Sequence, residues 1–135
     1  MVINTDPITQ PGSHWVAVFV DGVTAYYFDS LGEWPTTSEH ITLFLKQFRI
    51  VQYNSVQHQS LLTATCGGFV IYFIDRMSKG VSFMKILALF KRVVRDDQFI
   101  VRYMRSAHNF RLSLYNGITL NPSTTTTTCS GKPNL

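Results

Sequence analysis

The sequence predicts an α+β fold: a small central β-sheet, a hairpin plus an additional strand, packed against a buried central helix that carries a cysteine, with further helices towards the C-terminus. Three observations predict it. Residues 15–20 and 23–29 are two runs rich in Val, Phe and Tyr, separated by Asp21-Gly22, a dipeptide that favours the tight two-residue turn of a hairpin. Residues 66–77 are apolar nearly all round, as a helix covered on every side must be, although periodicity alone does not separate this run from a buried strand. Helix-start residues then recur at Ser82 and at Asp96 or Asp97.

The elements follow in order. Both faces of the hairpin are apolar: Val16, Val18, Val20, Val23, Ala25 and Tyr27 on one, Trp15, Ala17, Phe19, Tyr26 and Phe28 on the other. Such a ribbon belongs inside a sheet covered on both sides. Residues 31–35 form a loop, after which Thr37 or Ser38 caps a helix to about Phe48, with Ile41, Phe44, Leu45 and Phe48 at helical spacing. A strand follows at 49–53 and a polar loop at 54–59. The central helix ends near Gly80, a C-cap residue, one more helix runs from Ser82 to about Val94, and a last one ends before Asn116-Gly117. Residues 121–135, with five consecutive Thr, have no apolar pattern to fold around and read as a disordered tail.

Composition sets the outer limits. At 135 residues there is room for one compact domain. Hydrophobic residues make up 45% and aromatics 13%, enough for a substantial core, so wholesale disorder is ruled out. Charged residues reach only 15%, against about 25% in an average globular protein, which implies unusual burial or a covering partner. The two cysteines, Cys66 and Cys129, do not make a disulfide framework and fit a reducing compartment. No signal peptide and no membrane-length apolar run is present, so a soluble intracellular protein is expected.

The chemistry-bearing residues lie around the hairpin and the central helix. A two-residue loop at 21 and 22 pairs residues whose numbers sum to 43, which sets His14 opposite Asp29 and brings a carboxylate to an imidazole. A slip of one residue would separate them. Taken singly, a His at a strand start is ordinarily a surface or core residue. Cys66 gives it something to act on, because a helix start favours the thiolate, the nucleophilic form. Gly67 and Gly68 leave bare backbone beside that thiol for a substrate chain. Gln59, seven residues before Cys66, could donate to the oxyanion of an acyl-transfer intermediate, with Gln57 and Gln52 as competitors. No metal site is called for.

These residues resemble the adenovirus-type endopeptidases (adenain) and the SUMO- and ubiquitin-like-protein proteases, one clan of cysteine peptidases. The matching text is Gly12-Ser13-His14-Trp15, then Tyr27-Phe28-Asp29-Ser30-Leu31-Gly32, then Gln59, then Cys66-Gly67-Gly68-Phe69, in the order His, acid, Gln, Cys. The resemblance implies a cysteine protease domain over residues 1–120 in which His14 is the general base, Asp29 its orienter, Cys66 the nucleophile and Gln59 an oxyanion donor. It implies that Trp15, Gly67 and Gly68 line a narrow groove for peptides with Gly beside the scissile bond. It implies a monomeric viral maturation protease of the host nucleus or virion, without a cofactor but stimulated by DNA or a small peptide.

Two features depart from the adenovirus pattern. The acid is Asp rather than Glu, which also suits the SUMO-protease branch, and only thirteen residues precede His14, as in a fragment or a misplaced start. The alternatives are therefore a cellular protease for ubiquitin-like modifiers, or an inactive basic binding module. The net charge of +4, with Lys91, Arg92, Arg95, Arg102, Arg105 and Arg111 in the helical half, fits weak DNA binding and equally a solvated helix face.

Overall fold

The structure, a computed structural model, describes residues 1–108 apart from 7, 8, 11, 37, 91 and 92. Its elements are β1 (Val2–Asn4), β2 (Trp15–Asp21), β3 (Thr24–Phe28), α1 (Glu39–Leu45), β4 (Ile50–Tyr53), α2 (Cys66–Ser78), α3 (Phe83–Leu89) and α4 (Val93–His108). One sheet runs in the order β1-β2-β3-β4, antiparallel except for the parallel β3–β4 pair, which α1 connects. The α+β class and the helical reading of residues 66–77 agree with the sequence expectation. The predicted tail at 121–135, Cys129 and Arg111 lie outside the described residues.

The two apolar faces of the hairpin have separate partners. Val16, Val18, Ala25 and Tyr27 meet Ile41 and Leu45 of α1. Ala17 and Phe28 meet Phe69, Val70 and Phe73 of α2, with Phe83 and Ile86 of α3 and Ile100 and Met104 of α4 behind them. Helices on both sides explain a ribbon without a polar face. Val20 and Val23, at the turn, are the exceptions, at 42% and 58% exposure.

Four expectations need correction. The pairing is Asp21↔Thr24, Val20↔Ala25 and Ala17↔Phe28, so partner numbers sum to 45 and the turn residues are Gly22 and Val23, not Asp21 and Gly22. Gly22, at φ 55, takes the first turn position, where positive φ suits a glycine, and Asp21 joins the strand. Strand β1 was missed, because three residues are too few to show a period. Helix α1 stops at Leu45 rather than Phe48, since Gln47 N–H and Phe48 N–H bond to the carbonyls of Phe44 and Leu45, tightening the last turn to i→i−3.

In the last correction, α3 ends at Leu89 instead of running to Val94, with Phe90 extended (φ −86, ψ 112). The Phe90 ring is buried against Phe69, Tyr72 and His58, and seating it there takes the backbone out of the helix. Helix α4 accordingly begins at Val93, and Asp96 and Asp97 are not caps but buried side chains, each 6% exposed. Helix α2 closes on a Schellman arrangement: Val81 N–H bonds Arg76 O at 3.0 Å and Gly80 N–H bonds Met77 O at 3.0 Å. Gly80 sits at φ 76, where a side chain would be strained.

Candidate active site

His14 directly precedes β2 and Asp29 directly follows β3, so both emerge at one end of the sheet. His14 Nε2 lies 2.7 Å from Asp29 Oδ1. Under the observed register residue 14 would face residue 31, so the pair is diagonal rather than directly opposed. A shift of two keeps side-chain parity, and both residues therefore still point to the same face. The contact that the sequence predicts exists, although the pairing rule used to reach it was off by two.

Asp29 is 3% exposed and is fixed by its surroundings. Its Oδ1 accepts from Leu31 N–H at 2.8 Å, and its backbone carbonyl accepts from Gly32 N–H at 2.8 Å. Asn54, from the end of β4, donates from Nδ2 to Asp29 O at 2.5 Å and accepts from Asp29 N–H at 2.9 Å. Gly32 is required by that turn, with φ 74 and a Cβ that would lie 2.6 Å from the Val56 backbone. Because Nε2–H is donated to a carboxylate, the neutral His14 ring carries its lone pair on Nδ1, a buried atom.

Cys66 is the first residue of α2 and is 4% exposed. Ring contacts give the direction of α2 across the sheet. Phe73 stacks on Phe28 at 4.9 Å, while Phe83, beyond the end of α2, packs on Tyr26 at 5.5 Å. Moving from Tyr26 to Phe28 along β3 thus corresponds to moving towards the start of α2, and the helix begins at the same end of the sheet as His14 and Asp29.

The loop into α2 is tied to that end as well. His58 N–H and Gln59 N–H both bond Ser30 O, and the Ser30 hydroxyl donates to Gln59 Oε1 at 2.7 Å. Gln59 Nε2 donates to Thr63 O at 2.7 Å, and the side chain is buried, whereas Gln52 and Gln57 are exposed. Asp97 of α4 reaches the same loop, accepting from Ser60 N–H at 2.9 Å, from the Thr63 hydroxyl at 3.0 Å and from the Thr65 hydroxyl. Burial raises the Asp97 carboxyl above the usual range, and hydrogen bonds from Thr65, Ser60 and Thr63 oppose that rise. Burial lowers the His58 imidazole below its ordinary value, with nearby Asp96 opposing.

Gly67 is buried, and a Cβ on Gly68 would stand 2.6 Å from Ile100 Cγ2, so the missing side chain at Gly68 makes room for α4. Trp15 is half-buried and packs on the α2 side of the sheet. Sequence reasoning missed Asn54 and Asp97 as supports of the site. In the sequence Asn54 belongs to a polar loop and Asp97 to a helix start, so neither signals its supporting role. Among the described residues, no cluster of three or more His, Cys, Asp or Glu could hold a metal ion, and no helix is long and apolar enough to cross a membrane.

No protein-family profile matches the chain. It is 37% identical over 98 residues, 64% of its length, to R355 of Acanthamoeba polyphaga mimivirus, a protein assigned as a thiol protease, and covers 32% of that protein. It is 26% identical over 125 residues, 83% of its length, to the cysteine protease S273R of African swine fever virus, and covers 43% of it. The crystal structure of African swine fever virus pS273R protease superposes with a TM-score of 0.50 at 28% identity, covering 82% of this chain and 43% of that one. The chain therefore spans 32–43% of the length of these relatives, and its α+β fold matches that of a viral cysteine protease.

Proposed function

We propose that the chain acts as a cysteine endopeptidase of the clan that holds the adenovirus-type and SUMO-type proteases. In this reading Cys66 is the nucleophile, His14 the general base, Asp29 the group that orients its ring, and Gln59 an oxyanion donor. The observation that carries it is the 2.7 Å His14–Asp29 bond at the end of the sheet where α2 begins with a cysteine. The viral thiol and cysteine proteases named above support the class of chemistry.

The reaction follows from these positions. His14 Nδ1 takes the Cys66 proton, and Asp29 stabilises the imidazolium through Nε2–H. The thiolate adds to the scissile carbonyl carbon, and the oxyanion is met by Gln59 and backbone N–H groups at the start of α2. His14 then protonates the leaving amine, and water, deprotonated by the same ring, hydrolyses the thioester. By resemblance the peptide carries Gly beside the scissile bond, in a groove walled by Trp15, and comes from viral precursor proteins.

The test is cleavage of Gly-containing polypeptides by the full chain. Cys66→Ala should abolish it, His14→Ala should suppress it, and Gln59→Ala should lower turnover by about 10²–10³. Carboxymethylation of Cys66 by iodoacetamide should slow in His14→Ala, and an unchanged rate would remove His14 as its base. A second reading, a protease for ubiquitin-like modifiers, is favoured by the Asp29-Ser30-Leu31-Gly32 setting, and preferential processing of a folded modifier would establish it. Exposed Arg95, Arg102 and Arg105 on α4 support stimulation by DNA, to be read as a salt-sensitive gain in rate when duplex is added.

A further inference from the structure

Thr65 occupies the N-cap position of α2, where a Thr hydroxyl ordinarily accepts a hydrogen bond from a first-turn N–H of its own helix. Here it makes no such bond, and its backbone is not extended (φ −97, ψ 0). Its hydroxyl is turned outward as a donor to Asp97 Oδ1. The same carboxylate takes Ser60 N–H and the Thr63 hydroxyl, and Thr63 O in turn receives the Gln59 amide. One buried side chain from α4 thus grips both ends of the six-residue loop 60–65, between the candidate oxyanion donor and the candidate nucleophile.

We infer that Asp97 is a positioning residue for catalysis: it draws the Thr65 hydroxyl away from the α2 N-terminus and fixes the 60–65 loop, so that Cys66 and Gln59 stay in register. The inference rests on the proposed cysteine-protease chemistry and assigns to α4 a task beyond covering the sheet. Two consequences follow. The Thr65 hydroxyl, held on Asp97, does not cap a first-turn amide of α2, the helix end that begins with the candidate nucleophile. The loop also cannot drift without breaking contacts at a buried carboxylate, and misplacement by about 1 Å at a reacting centre can cost about 10² in rate.

The experiment compares Asp97→Asn, Thr65→Val and Thr65→Ser in the full chain. Expected are a fall in kcat of about 10² for Asp97→Asn and Thr65→Val, with KM within about threefold and recovery in Thr65→Ser, which keeps the hydroxyl. A merely structural carboxylate would lower the melting temperature without that kcat-against-KM split, and that result overturns the inference. Site-resolved carboxymethylation, with Cys129 as the internal reference thiol, decides the matter independently of turnover. Slower modification of Cys66 in both Asp97→Asn and Thr65→Val supports positioning, and rates equal to wild type overturn it. If wild type cleaves no peptide, the protease reading fails, while the alkylation comparison still decides whether Asp97 sets the thiol. Should Asp97→Asn not fold, the Thr65 pair carries the test alone.

Discussion

Asp29 is held more tightly than a bare His–Asp pair would require. Leu31 N–H shares its Oδ1 with His14, and Asn54 takes both its backbone N–H and its carbonyl. The carboxylate therefore has little freedom to swing from the ring. Asp29→Asn should preserve this geometry but donate where it should accept, favouring the other imidazole tautomer. Turnover should fall by up to about 10⁴ while the melting temperature stays close to wild type, measured by peptide cleavage and thermal unfolding together. His58 presents the opposite case, a ring with no chemistry assigned. It packs between Phe28 and Phe90, and its Nε2 has no hydrogen-bond partner among the described residues. Its affinity for a proton is lowered from the ordinary 6.5 in the folded state, so the unfolded chain binds more protons. The associated stability is present above about pH 6.5 and drains away as pH falls towards the lower folded value. Urea midpoints should drop between pH 7 and pH 5 in wild type and drop less in His58→Phe. Parallel curves would show that His58 does not set this dependence.

At the scale of elements, the contact between α2 and α4 is set by a residue without a side chain. Gly68 faces Ile100, whose Cγ2 would be 2.6 Å from an added Cβ. Alanine is the better helix former by about 0.5–1 kcal/mol, but overpacking a tight core typically costs about 1–3 kcal/mol. The clash should win, so Gly68→Ala should lower the melting temperature by several degrees. In the double variant with Ile100→Ala, the two losses should sum to less than their separate values, because the cavity accepts the new methyl. Further along the same interface, Tyr103 Oη donates to Asp75 Oδ2 at 2.7 Å and the Arg76 guanidinium lies over the Tyr72 and Tyr103 rings. Those contacts fix the rotation of α4, and hence where Asp97 emerges above the loop.

The described residues form a sheet with α1 on one side and α2, α3 and α4 on the other, and the candidate site collects at the end where β2 begins and β3 finishes. Burial is greatest in β2, β3 and α2: Val16, Ala17, Ala25, Phe28, Phe69, Val70 and Phe73 are each 0% exposed. Strand β1 is short and at an edge, and β4 at the other edge leaves Ile50 and Tyr53 at 45% exposure. Hydrogen exchange should therefore be slowest in β2, β3 and α2 and faster in β1 and α1. Fast exchange through the first turn of α2 would mean that the loop 60–65 opens locally, against the role inferred for Asp97.

Local signals in the chain determined much of this on their own. Asp21-Gly22 announced the hairpin, the continuous apolar run at 66–77 announced a buried element, and Gly80 marked its end, because turn chemistry and periodicity act over a few residues. Parity along a strand also survives a register shift of two, which is why His14 and Asp29 could be paired from sequence despite the wrong sum. Only the tertiary structure decided what depends on distant residues meeting. Asn54 clamps Asp29 across 25 positions, Thr65 spends its hydroxyl on Asp97 across 32, and Phe90 ends α3 by turning into the core. No neighbour in the chain encodes these contacts. They arise when buried polar groups and rings find partners that the packing of one helix on another brings within reach.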